Sequence, residues 1–253
     1  MIGIFDSGVG GLTVLRALRE TLPSADVLYF GDTKNAPYGT KSREELALLT
    51  MDGLKLLHER GVSNIVSACN TVSASLAVSL FETLSIVPTQ LIEMVGPAVG
   101  FFKGSDARLV LCATPATIQS GIYQNGFRMI GKDVTCVAIE KLAGAIEAGA
   151  HEEEVEKIIR DAFYGISFAK NDILVLACTH YPLVKQVFRK VLGDDVLIFD
   201  PAYPVAERAH KLFWPQEVGS GGMRFLLSKD SETFRSLVKQ IFPTQEYVIE
   251  VLE

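Results

Sequence analysis

The chain has 253 residues, 48% of them hydrophobic, and a net charge of −6; it can bury a large core as one large α/β domain or two small ones, and its acidic balance, without a basic cluster interleaved with aromatics, argues against a nucleic-acid surface. No charged leader precedes an apolar core, and no apolar run approaches the roughly 20 residues that span a bilayer, so a cytoplasmic protein with a small partner and no membrane contact is expected. Four scattered cysteines make no disulfide framework and suit a reducing compartment.

In chain order, short β-rich runs alternate with amphipathic stretches, the pattern of parallel sheets with helices on both faces. Strands are predicted at 2–5, 27–30, 65–67 and 90–92, separated by helices at 13–21, 42–60 and 73–84. A Gly-Pro step at Val95-Gly96-Pro97 follows a strand, and the grammar then begins again. The second series has predicted strands at 108–112, 134–137, 173–176 and 196–199, with helices at 117–130, 140–148, 152–169 and 181–191. Pro23, Pro88, Pro182 and Pro243 mark helix ends or starts. After Pro201 the chain is expected to return to the first domain, with a strand near 222–227 and a helix at 231–242. The expected fold is α/β, two pseudo-symmetric open parallel-sheet domains with the active site between them, the first from residues 1–95 plus about 205–253 and the second from 96–204.

Two segments share one plan. Ile65-Val66-Ser67-Ala68-Cys69-Asn70-Thr71 and Leu174-Val175-Leu176-Ala177-Cys178-Thr179-His180 each run from an apolar strand through Ala to Cys and on to small polar residues. A cysteine at a strand end just before a helix sits where backbone N–H groups and the helix dipole favour a thiolate, which suits proton transfer. Two of them suggest catalysis on both faces of one substrate carbon. Burial in a core is the alternative for either thiol alone, but a packing cysteine gains nothing from a hydroxyl or imidazole directly after it. Cys112 and Cys136 lack such followers and are assigned to packing. Ile4-Phe5-Asp6-Ser7-Gly8 likewise has a counterpart in Leu111-Cys112-Ala113-Thr114-Pro115-Ala116-Thr117, a likeness of topology with few identities.

Ligands of open parallel sheets bind beyond the carboxyl ends of the strands, where these polar loops would converge. Asp6-Ser7-Gly8-Val9-Gly10-Gly11 is no dinucleotide fingerprint, because Thr13 stands where a third glycine is needed, and no lysine completes a P-loop. Hydroxyls, an amide and backbone N–H groups suit carboxylates and an ammonium better than a polyphosphate. Cys178 and His180 alone are a weak zinc signal, and His58, His151 and His210 have no partner at ligand spacing, so no metal is expected. Nor is a lysine arranged for a Schiff base with PLP, so no cofactor is expected.

Asp6-Ser7-Gly8-Val9-Gly10-Gly11-Leu12, Gly31-Asp32-Thr33 with Pro37-Tyr38-Gly39, Cys69-Asn70-Thr71, Thr114-Pro115-Ala116-Thr117-Ile118 and Cys178-Thr179-His180-Tyr181-Pro182-Leu183 together resemble the bacterial glutamate racemases, in order from residue 2 to about residue 242. Three departures are visible: Val72 where Ala is usual, Ala177 where Gly is usual, and Asp200-Pro201 where Asp-Ser is common. None touches a thiol.

The resemblance implies a cofactor-independent racemase that supplies D-glutamate for peptidoglycan and takes L- and D-glutamate as its partners. It implies that Cys69 takes the proton from D-glutamate and Cys178 from L-glutamate, with Asp6 and His180 as proton-handling auxiliaries. Ser7, Asn70, Thr71, Thr114, Thr117 and Thr179 would hold the ammonium and carboxylates, and Tyr38 with the Gly39 backbone would close on the side-chain carboxylate. Outside these motifs Asp6 would read as a turn residue and Tyr38 as a surface aromatic. Glu147 matches a glutamate of the family but reads equally as an exposed helical carboxylate, and it is left out of the site. Family members are often dimers, in more than one arrangement, so a homodimer is allowed. The chain starts almost at its first strand, so activation by a cell-wall precursor through an N-terminal extension is not expected. A relative acting on aspartate or another acidic amino acid is the enzymatic alternative. A catalytically silent binding protein is the other, though it would need neither thiol.

Overall fold

The run Ile2–Asp6 forms β1, buried at every position, as a strand covered by helices on both faces must be. A computed structural model, describing residues 1–75 and 90–252, pairs β1 in parallel with Val27–Gly31 (β2) on one side and Asn64–Ser67 (β3) on the other. Leu91–Ile92 (β4) lies beyond β3. The second sheet is built from Leu109–Ala113 (β5), Val134–Ala138 (β6), Ile173–Ala177 (β7) and Leu197–Phe199 (β8), in the order β6-β5-β7-β8. Met223–Leu227 (β9) and Tyr247–Val251 (β10) return to the first sheet, whose order is β10-β9-β2-β1-β3-β4. All pairings are parallel.

Both sheets therefore repeat one arrangement: second strand, first, third, fourth. β1 corresponds to β5, and β3 to β7, so the pseudo-symmetry read from the sequence is present in the topology. Cys69 follows β3 and Cys178 follows β7, at corresponding carboxyl ends.

The helices start where local chemistry satisfies their free N–H groups. Leu12–Thr21 (α1) leaves the Gly-rich loop with Leu12, Val14, Leu15 and Leu18 buried. Arg43–Glu59 (α2) opens on a capping box in which Ser42 and Glu45 each accept the other's backbone N–H. Asn70–Ser75 (α3) carries the beginning of the helix predicted at 73–84; the remainder of that helix, like Pro88, lies outside the described residues. Val95–Phe101 (α4) begins with the Glu93 carboxylate accepting from the backbone N–H groups of Val95 and Gly96 at 2.5 and 2.6 Å. Pro115–Ser120 (α5) and Ile122–Met129 (α6) replace the single helix expected at 117–130. Gly121 separates them at φ +69°, a conformation glycine adopts at no steric cost. Leu142–Glu147 (α7) and Glu152–Ala162 (α8) follow; the second stops short of the expected residue 169, and Gly165 beyond it has φ +77°. The helix expected from 181 opens as a 3-10 turn at Tyr181–Val184 before Lys185–Leu192 (α9).

Ala202–Phe213 (α10) was not expected; it packs against α1 and α4. Glu232–Ile241 (α11) closes the chain's helices among the described residues, its N-terminus capped by Ser231. No helix of the described residues is long and apolar enough to cross a membrane.

Candidate active site

The carboxyl ends of β1 and β3 bring the first group together. Asp6 ends β1 and accepts the Gly8 N–H at 2.9 Å, which tightens the turn into the Gly-rich loop; the Tyr29 hydroxyl donates to the Gly8 carbonyl at 2.7 Å from below. Cys69 stands next to β3, 5% exposed, with its sulfur 3.8 Å from the Ser7 hydroxyl. Burial, reinforced by the negative charge of Asp6, pushes the Cys69 thiol up to about 12.

The second thiol has other neighbours. Cys178 is 6% exposed, with its sulfur 3.8 Å from His180 Nδ1, while His180 Nε2 meets Glu147 Oε2 at 2.6 Å. Burial works against an imidazolium here, but the Cys178 sulfur and the Glu147 carboxylate outweigh it and hold the His180 pKa well above its usual value. Glu147 also accepts the Val9 N–H at 3.1 Å, so a carboxylate of the second half is bonded to the Gly-rich loop of the first.

Further bonds tie the halves together. Thr179 Oγ1 donates to Asp6 Oδ1 at 3.2 Å, and Thr13 donates to the Thr179 carbonyl at 3.2 Å. The hydroxyls of Thr71, Thr114 and Thr117 form a triangle with sides of 3.0, 3.3 and 3.1 Å. Asn70 accepts from the Tyr123 hydroxyl at 2.5 Å. The Tyr38 hydroxyl donates to Asp32 Oδ2 at 2.5 Å, and Asp32 also accepts from Asn35 and Ser228. Burial and the Asp32 charge raise the Tyr38 pKa far above the ordinary phenol value. Gly39, beside it, lies so close to Thr114 that a Cβ there would stand 2.6 Å from the threonine's own Cβ.

All the residues singled out from the sequence are gathered here: Asp6, Ser7, Tyr38, Gly39, Cys69, Asn70, Thr71, Thr114, Thr117, Cys178, Thr179 and His180. Glu147, which matches a glutamate of the family but read equally as an exposed helical carboxylate and was left out of the site, is a member of the cluster. It lies so close to Gly8 that a Cβ there would meet its carboxylate at 2.5 Å. Asp32 stood in the Gly31-Asp32-Thr33 motif without an assigned role, and Ser228 and Tyr123 carried no sequence signal. Cys112 is fully buried in β5, and burial raises its pKa well above normal, as a packing role requires. Among the described residues no three His, Cys, Asp or Glu side chains gather at metal-binding spacing.

Two parallel α/β sheets each deliver one thiol to a shared polar cluster, an arrangement suited to acid–base chemistry. Comparison with known proteins supplies the family. The family model for Asp/Glu/Hydantoin racemase matches residues 11–209, and the chain belongs to that family. It is 35% identical over 242 residues to a glutamate racemase of Aquifex aeolicus, covering 95% of this chain and 93% of the relative. Among solved structures, the glutamate racemase of Francisella tularensis in complex with D-glutamate superposes with a TM-score of 0.86 at 29% identity, covering 100% and 97% of the two chains. The glutamate racemase of Aquifex pyrophilus superposes at 0.80 with 32% identity, covering 98% and 97%.

Proposed function

We propose that this chain interconverts L- and D-glutamate without a cofactor, supplying D-glutamate for peptidoglycan in the cytoplasm. The observation that carries the mechanism is the delivery of Cys69 and Cys178 from corresponding strand ends into one cluster, whose two sides are joined by the Thr179–Asp6 bond. The names of the relatives, and the D-glutamate bound to one of them, support the substrate.

In this reading one sulfur, as thiolate, takes the Cα hydrogen as a proton, and the electron pair left on carbon spreads into the α-carboxylate. The opposite thiol then protonates the other face, so the two sulfurs exchange protonation states and are ready for the reverse reaction. Cys178, with His180 held by Glu147, takes the proton of L-glutamate, and Cys69, beside Asp6 and Ser7, that of D-glutamate. Ser7, Asn70, Thr71, Thr114, Thr117 and Thr179 hold the ammonium and carboxylates. The Gly39 backbone, held by Tyr38, closes on the side-chain carboxylate. The two halves that close on substrate are residues 1–95 with about 205–253, and residues 96–204.

Incubation with L-glutamate in heavy water tests this. D-glutamate should accumulate with deuterium at Cα, while the remaining L-glutamate gains label more slowly, because the solvent proton arrives from the opposite thiol. Absence of D-glutamate would sink the substrate assignment. D-glutamate that keeps its original hydrogen would sink the two-thiol route.

A further inference from the structure

Asn70 is buried at the start of α3, and its amide has two chemically opposite ends. Oδ1 accepts from the Tyr123 hydroxyl at 2.5 Å, whereas Nδ2 is buried with no partner among the described residues. A buried donor left unpaired is costly unless a ligand completes it. Asn70 belongs to the first half of the molecule and Tyr123, on α6, to the second. The Tyr123 ring is fully buried and stacks on Phe127, with centroids 6.2 Å apart, in the core formed with Phe102, Leu111 and Val175. It cannot swing away from the amide. A phenol donates more readily than it accepts, and burial keeps this hydroxyl protonated.

The direction of that bond decides what Asn70 recognises. With Oδ1 committed to Tyr123, the amide offers only N–H groups, which suit an anion; turned over, it would offer a carbonyl, which suits an ammonium. We propose that Tyr123 is a positioning residue, fixing the Asn70 amide so that Nδ2 donates to a carboxylate oxygen of the substrate. The proposal rests on the glutamate reading above. It also makes carboxylate recognition depend on the docking of the two halves, since neither holds both residues.

The test is a set of variants, Tyr123→Phe, Asn70→Ala, their combination and Asn70→Asp, each measured for KM and kcat with both enantiomers and for thermal unfolding. Tyr123→Phe should raise KM for both enantiomers roughly tenfold, with a smaller change in kcat. The double variant should be no worse than Asn70→Ala, because the hydroxyl acts only through the amide. Asn70→Asp still accepts from Tyr123 but faces the substrate with a negative charge, so its KM should rise by more than tenfold. A Tyr123 that only packs would lower the melting temperature and leave KM unmoved. An unchanged KM in Tyr123→Phe, additive losses in the double variant, or a wild-type KM in Asn70→Asp would each overturn the proposal while wild-type racemisation left the function standing. Should Tyr123→Phe fail to fold, Asn70→Asp decides. A wild-type chain that does not racemise glutamate would remove the functional reading and this one together.

Discussion

Replacing Gly10 by alanine asks whether the Gly-rich loop is pressed against the second thiol's loop in the working enzyme. A Cβ at residue 10 would stand 2.6 Å from His180 Nδ1 and 2.9 Å from the His180 backbone N, and closer still to the Thr179 hydroxyl. Ordinary contact begins at 3.4 Å, so the imidazole must retreat by 3.4 less 2.6, about 0.8 Å. It has little room to do so, being held by Glu147 at 2.6 Å on its far nitrogen. The φ of Gly10 is outside the left-handed region, so the effect is steric alone. A displacement near 1 Å at reacting groups costs about 10²-fold in rate, and overpacking of this kind costs roughly 1–3 kcal/mol of stability. Gly10→Ala should therefore lower kcat/KM about 100-fold, measured by coupled detection of the product enantiomer, and lower the melting temperature by about 2–12 °C. Gly100→Ala is the control: nothing lies within 4 Å of its added Cβ in α4, and it should gain about 0.5–1 kcal/mol with full activity. Wild-type kcat/KM in Gly10→Ala would refute the packed arrangement of the two loops.

Cys69→Ser and Cys178→Ser should each lower racemisation by roughly 10²- to 10⁴-fold, whereas Cys112→Ser should lower the melting temperature and spare turnover. A glutamate analogue that expels a leaving group after Cα deprotonation needs one base, so Cys69→Ser should still eliminate from the L form and Cys178→Ser from the D form; reversed preferences would exchange the assigned faces. Glu147→Gln removes one of the two groups that hold the His180 pKa high, so the alkaline limb of the pH–rate profile should move to lower pH; an unmoved limb would remove Glu147 from the mechanism. The stability contributed by charged His180 is full below the ordinary imidazole value of about 6.5 and is lost as pH rises through the raised folded value, so in Glu147→Gln that loss should come at lower pH in a melting series. Racemisation should survive dialysis against a chelator without added PLP, and restoration of a lost activity by metal or PLP would contradict the thiol mechanism.

The strands of the site were legible because each is a short continuous apolar run ending in polar residues, and Cys69 and Cys178 were legible because that ending is repeated. The helices α4 and α10 were not: α4 contains Pro97, which reads as a boundary, and α10 contains Pro204. Both prolines fall in a first turn, where their missing N–H needs no partner. Glu147 was ambiguous for another reason: a glycine announces that something approaches closely, but not which residue, and the partner of Gly8 lies on α7, in the other half of the molecule. Asp32 and Tyr123 act on Tyr38 and Asn70 through single hydroxyl bonds, and such a pairing leaves no periodicity or spacing to read.

The two thiols stand among unlike neighbours, Cys69 with Asp6 and Ser7, Cys178 with His180 and, through it, Glu147, and in the proposed reaction these form unlike walls. Mirror-image amino acids have equal free energy in water, so the equilibrium between them is even and kcat/KM must be identical in the two directions, whatever the catalyst. The dissimilar walls can then appear only as compensating differences, the enantiomer that saturates the site sooner turning over more slowly by the same factor. Such asymmetry leaves the final mixture untouched and alters only which mirror image occupies more of the enzyme while the mixture forms.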